Sequence, residues 1–231
     1  MTETQGDAVP VLAIDGPGGA GKGTVSRLLA SALGWHYLDS GALYRIVALA
    51  ARRSAVALED EPRVAALVPA LDIRFGTGSD DSVWLQGEEV SAHIRHEEAG
   101  AMASVVAALP AVREALLLRQ RAFRQEPGLV ADGRDMGTVV FIDALQKVFL
   151  TASAQERADR RYKQLIAKGI DVNIGDLLAD INARDARDSS RAVAPLRPAD
   201  DAIVVDTTRM SIPEVVSQIL AMVNKKRESM L

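Results

Sequence analysis

Val9-Pro10-Val11-Leu12-Ala13-Ile14-Asp15-Gly16-Pro17-Gly18-Gly19-Ala20-Gly21-Lys22-Gly23-Thr24 is the stretch whose reading decides the fold. The apolar run Val9 to Ile14 predicts a short buried strand, and Asp15-Gly16-Pro17-Gly18-Gly19 breaks it abruptly. Beyond Gly21, Val25, Leu28, Leu29 and Ala32 recur at helical spacing until Gly34 supplies a stop. A strand, a glycine loop and a helix in that order suit a polyphosphate. The side-chain-poor loop offers a concave set of backbone N–H donors, and the helix start adds a favourable dipole. Lys22 adds a mobile cation. Gly16, four residues, then Gly21-Lys22 is the spacing of a phosphate-binding P-loop, so Gly16, Pro17, Gly18, Gly19, Ala20, Gly21, Lys22, Gly23 and Thr24 are the expected triphosphate contacts. The position after the lysine, normally Ser or Thr for magnesium, is Gly23, with Thr24 following it.

Working outward, Trp35 to Leu38 predicts a second strand, and a helix runs from Ser40 through Tyr44 and Ala48. Pro62 to Leu71 is helical in pattern. Leu71 to Phe75 and Ser82 to Leu85 then alternate like half-buried strands, joined by a turn at Gly76-Thr77-Gly78-Ser79-Asp80. This antiparallel patch, roughly residues 71–95, interrupts an otherwise alternating strand–helix chain. Helices follow from Glu97 to Ala107 and from Pro110, the latter carrying Val112, Leu116, Leu117 and Phe123. Leu129 to Asp132, Lys147 to Leu150 and Ala202 to Asp206 are further strands. Ser153 with Glu156 and Ser211 with Glu214 are capping boxes that start helices, the last burying Val215, Ile219, Leu220 and Val223. Strands alternating with helices predict an α/β fold, a parallel sheet with helices on both faces.

At 231 residues the chain is one large domain or one with an insert, against a prior of about 150 residues per domain. Charged residues at 25% and hydrophobic ones at 48% are ordinary globular values and exclude a disordered or collagenous chain. The net charge of -4 leaves no bulk positive field for nucleic acid. With no cysteine, disulfide frameworks, thiolate zinc sites and cysteine nucleophiles are excluded. No apolar run approaches the roughly 18 residues of a membrane span, and Met1 to Val9 lacks the layout of a secretory signal, so a soluble cytoplasmic protein without nucleic-acid or membrane partners is expected. His93 and His96 lack further metal ligands and read as a solvent-facing pair. Lys225-Lys226-Arg227 reads as a helix end, and Trp35 and Trp84 as packing residues.

A kinase acting on an alcohol needs a carboxylate base, whereas a phosphate acceptor is already anionic and needs cations that hold two polyanions in line. The chain carries such cations. Asp39-Ser40-Gly41-Ala42-Leu43-Tyr44-Arg45 gathers a hydroxyl, a phenol and a guanidinium at a helix start, suitable for a phosphate monoester or simply for a capped helix. Gly133-Arg134-Asp135 follows a strand end, where ligands of open parallel sheets bind. Between Ala154 and Arg191 lies an arginine-rich helix pair. Arg157, Arg160 and Arg161 share one face there, and Arg184, Arg187 or Asp188, and Arg191 another. Most of these charges, interleaved with Glu156, Asp159, Asp180, Asp185 and Asp188, read as a salt-bridged solvated face. A basic lid closing over phosphates needs the same composition, and Gly169 and Gly175 flank its link. A small-molecule kinase for another acceptor and a non-catalytic nucleotide switch stay open at this point. A GTPase is disfavoured, because Asn224-Lys225 continues as Lys226-Arg227 rather than as a guanine motif.

The variant Gly21-Lys22-Gly23-Thr24 is similar to the nucleoside monophosphate kinase form of the P-loop. With Asp39 to Arg45, Val112 to Arg121, Ala131 to Val140 and Arg184 to Pro195, the chain resembles the bacterial cytidylate kinase family over nearly its whole length. Gly133-Arg134-Asp135-Met136-Gly137-Thr138 and Arg184-Asp185-Ala186-Arg187-Asp188-Ser189-Ser190-Arg191 carry the likeness most specifically. The resemblance implies a single kinase domain: a core at about 9–60, 110–153 and 192–231, a monophosphate-binding insert at about 61–109, and a helical lid at about 154–191. It implies transfer of the ATP γ-phosphoryl group to CMP or dCMP by a monomer. Ser40, Tyr44, Arg45 and Arg134 would hold the CMP phosphate, Ser104, Arg113 and Asp135 would read cytosine, and Arg184 and Asp188 would contact the sugar. Lys22, Arg134, Arg157, Arg161, Arg184 and Arg191 would act on the transferring phosphates. Mg2+ would come with ATP, held largely by phosphates and water, with Thr24 and Asp132 contributing through water.

Overall fold

The structure, a computed structural model, describes residues 9–76, 82–167 and 169–229. The expected turn at 76–80 lies outside the described residues except for Gly76, and so does the N-terminal segment as far as Ala8. In chain order the elements are β1 (Val11–Asp15), α1 (Lys22–Leu33), β2 (His36–Asp39), α2 (Ser40–Arg53) and α3 (Glu61–Leu67), which runs into one 3-10 turn. Next come β3 (Ile73–Phe75), β4 (Val83–Leu85), β5 (Glu88–Glu89), α4 (Ser91–Arg95), α5 (Glu97–Val106) and α6 (Pro110–Arg121). β6 (Leu129–Gly133) is followed by a π-helical turn (Met136–Val140), β7 (Gln146–Thr151), α7 (Ala154–Ile166), α8 (Ile174–Ser189), β8 (Ile203–Asp206) and α9 (Ile212–Glu228).

The chain divides into two compact units, one made of residues up to Leu38 and from Ala122 onward, the other of Asp39–Arg121. In the first, described strands make a five-stranded sheet in the order β2-β6-β1-β7-β8. β1 pairs in parallel with β6 (Ile14 opposite Asp132) and with β7 (Asp15 opposite Phe149), and β7 with β8. β1 lies centrally, with all five residues buried, as the apolar run of residues 11–14 in a central parallel strand requires, and the burial extends to Asp15. Leu12, Ile14, Val130, Val148, Leu150 and Val205 of the sheet pack with Val25 and Leu29 of α1 and Val215, Ile219 and Val223 of α9.

The buried stripe of α1 is rotated from the expected one. Val25, Ser26, Leu29 and Ala30 face the core, while Leu28 is 46% exposed and Ala32 faces water. Small Ser26 and Ala30 let the helix lie close on the sheet, a preference that a count of large apolar residues misses. Trp35 packs as expected, buried beside Gly128, whose missing Cβ would stand 2.5 Å from the indole ring. Trp84 does not. Alternation on β4 buries Val83 and Leu85 and turns Trp84 outward, 39% exposed, with its Nε1–H donating to Ser82 Oγ. Ser211 and Glu214 form the expected capping box at α9, where Leu220 is only half-buried. At α7 only half of the box forms. Ser153 Oγ accepts from the N–H of Glu156, but the Glu156 carboxylate is taken by Arg160.

The second unit is helical apart from a three-stranded antiparallel sheet in the order β3-β4-β5. β5 is an addition to the two strands expected. Gln86 (φ 52) and Gly87 (φ 83) supply the paired left-handed residues of a two-residue hairpin, and Glu88-Glu89 carries no strand signal of its own. α2, buried along most of its length, packs against α3, α4 and α5. Replacing Gly128 by alanine is expected to lower the unfolding free energy by about 1–3 kcal/mol by overpacking against Trp35, measured as a lower urea midpoint with an unchanged m-value.

Candidate active site

The phosphate loop hangs between β1 and α1 and depends on glycine at two points that matter. A Cβ on Gly16 would fall 1.9 Å from the carbonyl oxygen of Leu150, so the loop leaves β1 pressed against the β7 backbone. Gly21 caps α1 in the left-handed region (φ 87), which aims the first N–H groups of the helix into the loop. Lys22 lies back across this loop, its Nζ donating to the carbonyl of Pro17 at 2.9 Å and standing 4.0 Å from Asp132 Oδ1. Burial is the main influence on its charge, and with the nearby Arg134 and Arg184 it brings the ammonium pKa from 10.5 down to about 7 against the pull of Asp132 and Asp15.

Two guanidiniums approach the same loop. A Cβ on Gly18 would lie 3.6 Å from Arg134 Nη2 and 3.7 Å from Arg184 Nη1. Arg134 donates from Nε to Asp188 Oδ2 at 3.1 Å and from Nη1 to the carbonyl of Gly133. Asp188, 1% exposed, also accepts from Arg191, so one buried carboxylate joins two arginines. Arg157, also buried, donates to both oxygens of Asp185 and to the carbonyls of Ala152 and Gly18, which ties α7 to α8 and to the loop. Asp185 and Asp188 are thus not part of a solvated acidic face. One helical turn apart on α8, they hold three of the arginines expected to act on phosphates.

Other expected residues separate. Arg160 leaves the face shared with Arg157 to bond Thr207 and Glu156, and Arg161 Nη1 donates to Gln164. α8 ends at Ser189, so Arg191 lies beyond the helix rather than on its face, although it still reaches Asp188. Gly169 (φ 74) stands in the α7–α8 link, whereas Gly175 belongs to the first turn of α8. In the second unit, Asp39 caps α2 by accepting from the N–H of Ala42, Ser40 and Tyr44 are buried, and the Arg113 guanidinium lies 5.7 Å from the Tyr44 ring centroid. Arg113 donates to the carbonyl of Ala107, Arg45 to that of Ile94, and Ser104 is buried on α5. His93 and His96 are exposed, as expected.

The donor set suits magnesium held mainly by phosphates and water. Asp132 Oδ2 would meet a Cβ on Gly23 at 3.6 Å and accepts from the Tyr37 hydroxyl at 3.4 Å, which puts one carboxylate at the start of α1. Thr24 is exposed, and among the described residues no group of three or more His, Asp or Glu side chains could hold the ion alone. Two contributors were missed. Tyr37, inside the short strand β2, reaches Asp132 only through the sheet. Asp15 sits directly before the loop, where an acid closing an apolar strand was a usable signal. Its carboxylate accepts the N–H groups of Met136 and Gly137 at 2.8 Å each. Burial pushes its pKa up to about 7, Asp135 adds to this, and the two N–H groups and Lys22 oppose it.

The family model described as cytidylate kinase matches residues 12–225. The chain belongs to the cytidylate kinase family. A protein named cytidylate kinase from Pseudomonas paraeruginosa is 63% identical over 92% of this chain and 94% of its own length. One from Stutzerimonas stutzeri is 60% identical over the same shares. The fold extends to a solved structure of an uncharacterized protein from Eubacterium ventriosum, at TM-score 0.51 and 11% identity over 94% of this chain and 99% of that one. Burial drives Lys22 towards neutrality, whereas an anion seated on the loop would favour its ammonium form. Binding of a triphosphate restores the charge, so at about pH 8.5 it is expected to take up close to one proton. Calorimetry in buffers of different ionisation enthalpy measures that uptake, and Lys22→Met removes it.

Proposed function

We propose that the chain is a cytidylate kinase that transfers the γ-phosphoryl group of ATP to CMP or dCMP, giving ADP and CDP or dCDP. The observation that carries this reading is the approach of Arg134 and Arg184 to Gly18 of the phosphate loop, in a chain matched by the family model over residues 12–225. Cations packed against a loop of backbone donors suit a reaction between two polyanions, and a base is not required because the acceptor oxygen is already charged.

In the proposed reaction an oxygen of the CMP phosphate attacks the γ-phosphorus as the bond to the β-bridging oxygen breaks, with the charge leaving on ADP. The backbone of residues 16–24 and Lys22 hold the donor phosphates. Asp132 and Thr24 are the residues that would help hold magnesium brought by ATP, through water, and the ion would supply neutralisation of phosphate charge. Arg134, Arg157, Arg161, Arg184 and Arg191 spread over the charge of the transferring group, and the phosphates replace Asp185 and Asp188 as partners of those that exchange. We assign Ser40, Tyr44, Arg45 and Arg134 to the CMP phosphate, Ser104, Arg113 and Asp135 to cytosine, and Arg184 and Asp188 to the sugar. Asp135 accepts from the cytosine amino group and repels the carbonyl that uracil has there. Residues 61–109 are assigned as the monophosphate-binding insert, and 154–191 as the lid that excludes water.

The enzyme is proposed to work as a cytoplasmic monomer on small nucleotides, with neither nucleic acid nor membrane as partner. Among the described residues no single helix is long and apolar enough to cross a membrane.

ADP formation with magnesium-ATP and CMP, dCMP, UMP, AMP, GMP or no acceptor tests the reading. CMP and dCMP are expected to turn over far above the rest. A different preferred acceptor would overturn the substrate, and nucleotide binding without acceptor-dependent turnover would make the chain a switch. Asp135→Asn is expected to lower the CMP-to-UMP ratio of kcat/KM by about 10- to 100-fold, the loss of one charge-assisted hydrogen bond worth roughly 1.5–3 kcal/mol.

A further inference from the structure

The contacts of Asp15 are not used by any step of the reaction above, and they are unusual. Asp15 is 4% exposed and is the last residue of β1, so its own backbone begins the phosphate loop. Its side chain crosses to a segment more than a hundred positions away, where Oδ1 accepts the N–H of Met136 and Oδ2 that of Gly137, both at 2.8 Å. These are the first donors of the π-helical turn Met136–Val140, which have no carbonyl of their own to bond. The turn hangs from Asp135, whose carbonyl accepts the N–H groups of Val139 and Val140. On its other side Gly137 abuts Lys147, which cannot swing freely because its ammonium is bonded to Asp201 at 2.9 Å. The peptide immediately after Asp135 is therefore clamped by one carboxylate.

We propose that Asp15 is a positioning residue for cytosine selection: by taking the N–H groups of Met136 and Gly137 it sets where the buried carboxylate of Asp135 stands relative to the phosphate loop that Asp15 itself begins. The proposal rests on the reading of Asp135 as the cytosine-selecting carboxylate. Base discrimination depends on placing one acceptor to within a few tenths of an ångström, whereas holding phosphates by several cations tolerates more movement. Loosening the clamp thus affects the choice of base more than the transfer itself.

The experiment compares kcat/KM for CMP and UMP, and KM for ATP, in the wild type, Asp15→Asn, Asp135→Asn and the double variant. Asparagine keeps the size of Asp15 but turns an NH2 group towards one of the two N–H donors. Asp15→Asn is expected to lower the CMP-to-UMP ratio about five- to ten-fold while KM for ATP stays within about two-fold. In the Asp135→Asn background the same change adds no further loss of ratio, because it acts through that carboxylate. If Asp15→Asn lowers kcat/KM for both acceptors equally, or adds to the loss in the double variant, the positioning role is overturned while the reading of Asp135 stands. If Asp135→Asn leaves the ratio unchanged, that reading fails and the proposal falls with it. Should Asp15→Asn not give a cooperative melt, Gly137→Ala decides. Its methyl would lie 3.0 Å from Lys147 Cδ and 3.5 Å from Asp15 Oδ2, displacing the same peptide without removing a polar group. A lowered ratio supports the clamp, and an unchanged ratio overturns it.

Discussion

Lys22, Arg134, Arg157 and Arg184 are gathered around a few residues of glycine-rich backbone, and such a concentration of positive charge is unfavourable unless anions lie among it. The rest of the first unit answers that constraint. Asp132 faces Lys22 from the end of β6, Asp185 and Asp188 reach in from α8, and the ammonium of Lys22 gives up part of its proton affinity. In the proposed reaction, phosphate oxygens would take over part of this neutralisation. Asp185 and Asp188 fix Arg157, Arg134 and Arg191 in place, and exchanging such partners costs less than bringing solvated arginines in from water.

The neighbourhood of β1 shows how a fold converts this constraint into geometry. A central strand buried on both faces gives the loop a rigid root, and the contact of Gly16 with the Leu150 carbonyl leaves no room for a side chain where the loop departs. The same strand ends in Asp15, whose side chain joins the loop to the turn after Asp135. The phosphate loop and the turn after Asp135 so share one anchor.

Much of this was legible in the chain. The strand–glycine–helix order of residues 9–34, the alternation of later strands and helices, and the cap at Ser211 follow from local chemistry, and all appear in the structure. The failures are also physical. Glu88-Glu89 becomes a strand only because Gln86-Gly87 turns the chain back on β4. The Ser153 box stays half-made because Arg160 competes for Glu156. Charge patterning on α7 and α8 indicated many arginines but not their partners. Arg157 and Arg160 are three residues apart, yet one reaches the phosphate loop and the other the loop after β8.

By itself the sequence determined the phosphate loop, the parallel α/β sheet and the family, because backbone conformation, apolar periodicity and motif spacing are properties of contiguous residues. Only the tertiary structure decided that Asp188 joins Arg134 to Arg191, that Tyr37 meets Asp132, and that Asp15 holds the turn behind Asp135. All but the local Asp188–Arg191 contact close over long separations in the chain, and their geometry comes from strand register and helix packing, which no local pattern encodes.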